Sequence, residues 1–425
     1  MERTAVRSRT LIFIPLAFAL AQAPRPEGIM LRGGTIHTMA GQIIEGGSVL
    51  MRGGKIVAVG KNFTPPEGYR IIDIPGRQVY PGMIDAASML GIEAGDSAEP
   101  GLIHPQLKAA DAINPASDHI AFSRASGVTS VIEMPVGDLI SGTMSLLRLD
   151  APTSGQAVAI HLRFPVLETV PPPPHEDDAS DEDPAPPEPI LFADAKADYD
   201  RKMQALNSFF DEARAYWRAK RAKAKVKPDL KLEAMLPVFD GVTALFVTAV
   251  RERAIREAVA FADKQKVKII LADAYESYKC IPLLHQHNIP VILGPTFSLP
   301  LNPDDPYDRS YTTAGELYRA GIKFAIATFS TRQAHNLPFQ AAAAVPFGLP
   351  QEQAYLAVSL SAAEIFGMGK SLGSLEEGKT ADLIVTDGDP LEVKTKVSMV
   401  FIEGKPVSLD TRQKQLFEKY SGRPR

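Results

Sequence analysis

The period of the apolar positions changes along this chain. Near the start, "IMLRGGTIHTM", "GGSVLMRGGKIVAVG" and "YRIIDIPGRQVYPG" alternate apolar and polar residues, broken by Gly-Gly and Pro-Gly steps. Period two with such breaks predicts short antiparallel strands. The far end repeats the style, with "GSLEEGKTADLIVTDGDPLE" and "KVSMVFIEGKPV" arranged about a Gly-Asp-Pro turn. Two β regions flanking a long middle predict one composite β domain built from both termini.

The middle alternates strand-like and helix-like stretches, as parallel βα units do. Candidate strands begin near Met83, Thr129, Met144, Val158, Ala244, Val267, Val291 and Lys323, which makes the eight that a barrel needs. The expected fold class is therefore α/β: a TIM-like (β/α)8 barrel with a composite β-sandwich domain. The expected boundaries are 22–80 and 372–425 for the two parts of the β domain and 81–371 for the barrel.

Two insertions interrupt the rhythm. Residues 165–189, "PVLETVPPPPHEDDASDEDPAPPEP", are too rich in proline and acid to fold alone. Residues 192–225 read as a helical insertion containing Phe209, Phe210, Tyr216 and Trp217. Its end is basic, with Lys220, Arg221, Lys223, Lys225 and Lys227. The two insertions read either as mutually attracting or as a solvated loop and a solvated helix tip.

Composition narrows the function classes. A length of 425 residues suits a barrel of roughly 250 residues plus a second module. The net charge of -4 gives no basic footprint, which argues against nucleic acid as a partner. Cys280 is the single cysteine, so no internal disulfide can form; in "YESYKCIPLL" it reads as a buried thiol. Arg3, Arg7 and Arg9, the apolar run Leu11 to Leu20 and the small-x-small step Ala19-Leu20-Ala21 have the layout of a secretory signal over residues 1–21. The expectation is a secreted or periplasmic protein with no stable membrane span after cleavage; an uncleaved anchor is the alternative.

"PGMIDAASML", Pro81 to Leu90, resembles the first-strand motif of the amidohydrolase superfamily, Pro-Gly-x-Ile-Asp-x-His-x-His. The resemblance extends further. "GGTIHTMAGQIIEGGSVLMRGGKIVAVG" and "LGSLEEGKTADLIVTDGDP" are similar to the two halves of the β module of members such as imidazolonepropionase and dihydroorotase. "GVTSVIEMP" resembles the second barrel strand, and "NLPFQAAAAVPFGLPQEQAYLAVSLSAAEIFGM" the helices after the eighth.

The resemblance implies metal-dependent hydrolysis of C–N bonds other than peptide bonds. Zinc or another divalent metal, held at the barrel mouth, would activate a water. It implies ligands on strands one, four, five, six and eight, the last an aspartate that is also the general base. This chain departs from that pattern. Ala87 and Met89 stand where the paired histidines would be, Thr248 or the adjacent Ala249 where strand five would give a histidine, and Phe329 where strand eight would give the aspartate. Strand six ends in Asp273, Ala274 and Tyr275, without a histidine. A methyl group cannot ligate a metal, and a thioether is a poor ligand for a hard ion. Phe329, Met89 and Ala87 are expected to fill the vacated space with apolar contacts, and no cofactor is expected.

Polar residues remain near predicted strand ends: Asp85, Glu133, His161, Arg163, Arg251, Asp273, Glu276 and Ser330. His161, Glu133 and Asp273 are a conceivable catalytic or metal set, if they converge. His161 with Arg163 in "AIHLRFP" would alternatively bind an anion, and the plain alternative is a hydrogen-bonded histidine inside the barrel. His37, His104, His119 and His175 read as structural or surface residues. His285 and His287 form a His-x-His on the far side of the barrel, while His335 follows strand eight within reach of the mouth. The expected function is a catalytically degenerate member acting as a binding or structural subunit, paired with an intact amidohydrolase relative or with itself as a homo-oligomer. The alternative is an active amidohydrolase with a relocated or absent metal site.

Overall fold

The computed structural model describes residues 28–92, 101–150, 155–170 and 188–422. The expected signal segment and most of the acidic insertion, with His175, lie outside the described residues. Strands β1 (Gly28–His37), β2 (Ile43–Arg52), β3 (Lys55–Gly60), β4 (Tyr69–Asp73) and β5 (Gln78–Pro81) open the first sheet. Arg52 pairs with Lys55, so Gly53 and Gly54 alone make the β2–β3 turn. Their φ of 58° and 79° explains the Gly-Gly, since other residues take positive φ at a cost.

The barrel follows directly: β6 (Met83–Ser88), β7 (Val128–Glu133), β8 (Ile140–Arg148), β9 (Gln156–Arg163), β10 (Ala244–Thr248), β11 (Ile269–Ala272), β12 (Val291–Leu293) and β13 (Phe324–Ile326). The chain then returns to the first sheet through β14 (Leu383–Thr386), β15 (Val397–Ile402) and β16 (Lys405–Pro406). Strand β14 lies antiparallel to β5, with Leu383 opposite Pro81 and Thr386 opposite Gln78. The two ends of the chain thus share one sheet, as the alternating runs predict. Its core packs Leu31, Ile36, Val49, Met51, Leu383 and Phe401.

Consecutive barrel strands are neighbours. One departs from the expected parallel pattern. Strand β8 is antiparallel to both β7 and β9, with Val131 opposite Leu147 and Thr143 opposite Ile160. The cause is connection length. Residues 134–139 and 149–155 are too short for the dozen or so residues that a parallel crossover needs. A barrel seam closes the ring beyond β13. The Phe329 amide donates to Ala87 O (2.9 Å) and the Met89 amide donates to Ser330 O (3.2 Å).

Helices cover the outside: α1 (Asp118–Ala125), α2 (Phe192–Arg221), α3 (Leu230–Phe239), α4 (Glu252–Gln265), α5 (Ile281–His287), α6 (Arg309–Arg319), α7 (Leu337–Ala343), α8 (Gln351–Ala357) and α9 (Leu360–Ile365). In α4 the buried Ile255, Ala258, Val259 and Ala262 recur at helical spacing and face the strands. Helix α2, the expected helical insertion, is anchored by Phe210, whose ring meets Phe261 of α4 edge-on at 5.0 Å. Its basic end is spent locally: Lys220 pairs with Glu233, and Arg221 with Asp240 at 2.7 Å. No helix among the described residues is long and apolar enough to cross a membrane.

The inside of the barrel is a separate apolar core. Ile84, Ala87, Ile132, Met144, Phe246, Ile270 and Ile292 point inward from the strands. Phe366, Met368 and Leu372 close the end where the strands begin, and Phe366 stacks on Phe246 at 6.1 Å. Phe329, with Met89 packed against the same cluster, closes the other end.

Candidate active site

A cavity of about 680 Å³ opens at the ends of β9 to β13, beyond the last residue of each strand. That is the face where barrel proteins place their sites, because the loops there can vary without disturbing the strands. Its lining includes Arg163, Thr248, Asp273, Thr328, Phe329 and Ser330.

Phe329 forms part of the floor. It is 4 % exposed, and its φ is 50°. Left-handed backbone is uncommon for a bulky side chain and far easier for Asp or Asn. Ala87, on the strand across the seam, is fully buried, and Met89 is partly buried in the same cluster.

Two carboxyl groups lie in this region. Asp85 is fully buried and accepts hydrogen bonds from the Thr328 amide (3.0 Å) and the Thr328 hydroxyl. Burial outweighs these bonds and pushes its pKa up to about 7. Glu133, opposite Ser88 at the end of β7, is also fully buried. Neither of its oxygens has a well-formed hydrogen bond, and the Leu90 amide eases its charge only slightly. Burial first, then the charge of Asp85, raise its pKa well above the usual carboxylate range. Of the two, Glu133 is the one whose neutral form burial favours without a side-chain hydrogen bond to offset it.

His161 is committed to structure. Its Nδ1 lies 2.5 Å from Ser141 Oγ and 3.3 Å from Pro135 O, and its Nε2 lies 2.9 Å from Thr248 Oγ1. Pro135 O can only accept, so Nδ1 carries the hydrogen and Nε2 accepts from the Thr248 hydroxyl. Burial, with the nearby charge of Arg163, holds its pKa down to about 3. The ring is thus neutral with both nitrogens occupied. The hydroxyl of Thr248 is spent on the same bond. We expect the His161 ring resonances to show no titration between about pH 5 and about pH 8 in NMR spectra. A midpoint near the ordinary imidazole value would mean that water reaches the ring.

Asp273 lies on the cavity wall with φ of 50°, just beyond β11. Among the described residues, no three His, Cys, Asp or Glu side chains are grouped closely enough to hold a metal ion, so His161, Glu133 and Asp273 do not form such a set. Ser330 Oγ accepts from the amides of Arg332 and Gln333 and shapes the turn after the seam. Arg251 is engaged by Glu168 (3.1 Å) and Asn302 (2.6 Å), and Glu276 by Lys279 (2.7 Å). Arg163 is exposed on the cavity wall.

The remaining described histidines stay away from the cavity lining. His335, placed by sequence within reach of the mouth, instead packs on Phe122 of α1 at 4.2 Å and donates to Arg332 O. His37 stacks on Tyr80 at 4.1 Å. His285 and His287 sit in α5, before β12, at the opposite end of the strands, where His287 faces Asp263 at 3.3 Å. Cys280 is buried, and burial pushes its thiol up to about 11, which makes it inert. Sequence reasoning missed Ser141 and Thr328 as the partners of His161 and Asp85. It also missed Gln340, whose Oε1 accepts from the Thr296 amide (2.5 Å) and fixes the loop after β12. Such partners carry no motif; strand pairing, the seam and a helix packed on the loop bring them together.

Residues 266–407 match the amidohydrolase family model. The chain is 30% identical over 133 residues to the amidohydrolase tasK of Hapsidospora irregularis, a match covering 28% of this chain and 14% of that protein. It is 36% identical over 84 residues to the imidazolonepropionase of Syntrophobacter fumaroxidans, covering 19% and 20%. The chain thus matches only a small part of the length of these curated relatives. Among solved structures, an amidohydrolase from Thermotoga maritima superposes with a TM-score of 0.76 at 23% identity, over 89% of this chain and 99% of that one. A prolidase complexed with N-methylphosphonate-L-proline gives 0.54 at 18% identity, over 90% and 99%. At such identities the likeness is one of fold. Sequence match and fold point the same way: residues 266–407 match the amidohydrolase family, and the chain has the fold of the solved amidohydrolase it superposes on.

Proposed function

We propose that this protein is a catalytically degenerate amidohydrolase that holds a ligand at the barrel mouth without hydrolysing it. One observation carries the reading: the Phe329 ring is buried in the lumen core at the position where the family resemblance implies a catalytic aspartate. The other implied ligand positions agree. Ala87 offers a methyl group, Met89 a thioether, and the Thr248 hydroxyl is bonded to His161. These residues do not fit the family metal, so no step through a metal is derived. The cavity above the floor remains large enough for a small molecule, which supports binding rather than a purely structural role.

The test is metal content after incubation with zinc and desalting, combined with assays on cyclic amides and dipeptide-like substrates. We expect well under one metal per chain and no turnover. Near-stoichiometric metal, with turnover abolished by His161→Ala or Asp273→Ala, would sink the proposal. It would establish the rival reading, an active enzyme with a relocated site, which the retained cavity favours. We further propose a homo-oligomer or a pair with an intact relative. Export is also proposed, supported by the basic, apolar and small residues of positions 1–21.

A further inference from the structure

The wall of the mouth cavity is charged unevenly. Lys202 lies on it, but its ammonium is held between Asp138 (3.3 Å) and Asp198 (3.2 Å), and Asp198 also pairs with Arg201. These four charges cancel. Arg251, next to the wall residue Val250, is tied to Glu168 and Asn302. Arg163 differs from both. It ends β9, its amide is fixed by Leu139 O (2.9 Å), and its side chain is exposed with no ion pair or hydrogen bond to a described residue.

Asp273 is the acid on the wall to weigh against it. Register places Arg163 beside Thr248, and Thr248 beside Ala272. Asp273 therefore stands two strands away, roughly 10 Å by ordinary strand spacing. The side of the mouth after β12 and β13 is apolar, with Leu293, Phe297, Leu299, Leu301 and Phe329. Leu299 and Phe297 are exposed. An unpaired guanidinium facing an apolar wall is the pattern of a site for an amphipathic anion.

We propose that the mouth cavity binds a monoanionic organic carboxylate, with the carboxylate on Arg163 and an aryl or branched-alkyl body against the wall formed by Leu293, Phe297, Leu301 and Phe329. This rests on the non-hydrolytic reading above and names its ligand class. Arg presents paired N–H donors that match a carboxylate in two parallel bonds. A dianion is disfavoured, because Arg163 supplies a single positive charge and Asp273 stands on the same wall. The apolar body would bury Leu299 and Phe297.

The test uses the full chain and four probes sharing one body: phenylbutyrate, phenylbutanol, phenylbutanamide and phenylpropyl phosphate, titrated by calorimetry. We expect phenylbutyrate to bind at least ten-fold tighter than phenylbutanol, about 1.4 kcal/mol. Arg163→Gln should erase that difference and leave phenylbutanol binding unchanged. Because Arg163 is exposed and has no ion pair among the described residues, the variant should melt with the wild type. Equal binding of acid and alcohol, discrimination that survives Arg163→Gln, or tighter binding of the phosphate would each overturn the carboxylate site and leave the ligand-binding reading standing. Conversion of phenylbutanamide to phenylbutyrate would overturn the non-hydrolytic reading instead. Binding of none of the probes would overturn the carboxylate site, whatever the metal analysis gives.

Discussion

Phe329→Ala should cost about 3 to 5 kcal/mol of stability, the usual range for truncating a buried phenyl ring. The ring seals one end of the lumen core, and α9 and the residues after it seal the other, so the void would have little chance to collapse. The backbone adds a second expectation. At φ of 50° any Cβ is strained, and glycine is not. Phe329→Gly should therefore be less damaging than Phe329→Ala by about 1 kcal/mol, although it removes more atoms. Denaturant melts of the three proteins measure both differences. A cost below about 1 kcal/mol for the alanine variant would show that the ring is not packed as a plug.

Glu133→Gln should stabilise the protein, and more so as pH rises. A buried carboxyl whose folded pKa lies above its unfolded value binds more protons when folded. Its contribution is fully present below the unfolded pKa and is lost as pH rises through the folded one. For Asp85 that loss runs from the ordinary carboxylate range up to about pH 7, and Glu133 is shifted in the same direction by burial. Each pH unit in the window costs up to about 1.4 kcal/mol per group. Glutamine has the same shape and no charge to suppress. The gain should be small near pH 5 and should grow as pH rises, less the cost of an amide left without partners. Wild-type stability that is flat between those pH values would sink the account.

The scaffold was legible because it is repetitive. Alternating runs about Gly53 and Gly54 announce a sheet, and the apolar strand starts from Met83 to Lys323 announce a barrel. The reversed β8 was hidden in plain counting, since it follows from the short connections at 134–139 and 149–155 rather than from any residue type. Asp85, Glu133 and His161 could be named from strand-end positions, but their partners could not. Ser141 meets His161 through the reversed pairing of β8 with β9, and Thr328 meets Asp85 only when the ring closes. Arg163 could be paired with His161 as an anion site by adjacency. Alternation along β9 puts both side chains on one face, and depth separates them: His161 lies inside the barrel, while Arg163 ends the strand at the cavity.

The barrel seam is made of main-chain atoms: the amide of Phe329 on the carbonyl of Ala87, and the amide of Met89 on the carbonyl of Ser330. Side chains at 87, 89 and 329 can therefore be exchanged without unzipping the ring. Phe329 also keeps a backbone twist that suits an aspartate better than itself. On the degenerate reading proposed above, the strand-one and strand-eight ligand positions differ from the family pattern by side chains and not by backbone. Ala87→His, Met89→His and Phe329→Asp would be written onto a frame already bent to receive them, and strands four, five and six would still have to supply the rest of a metal site.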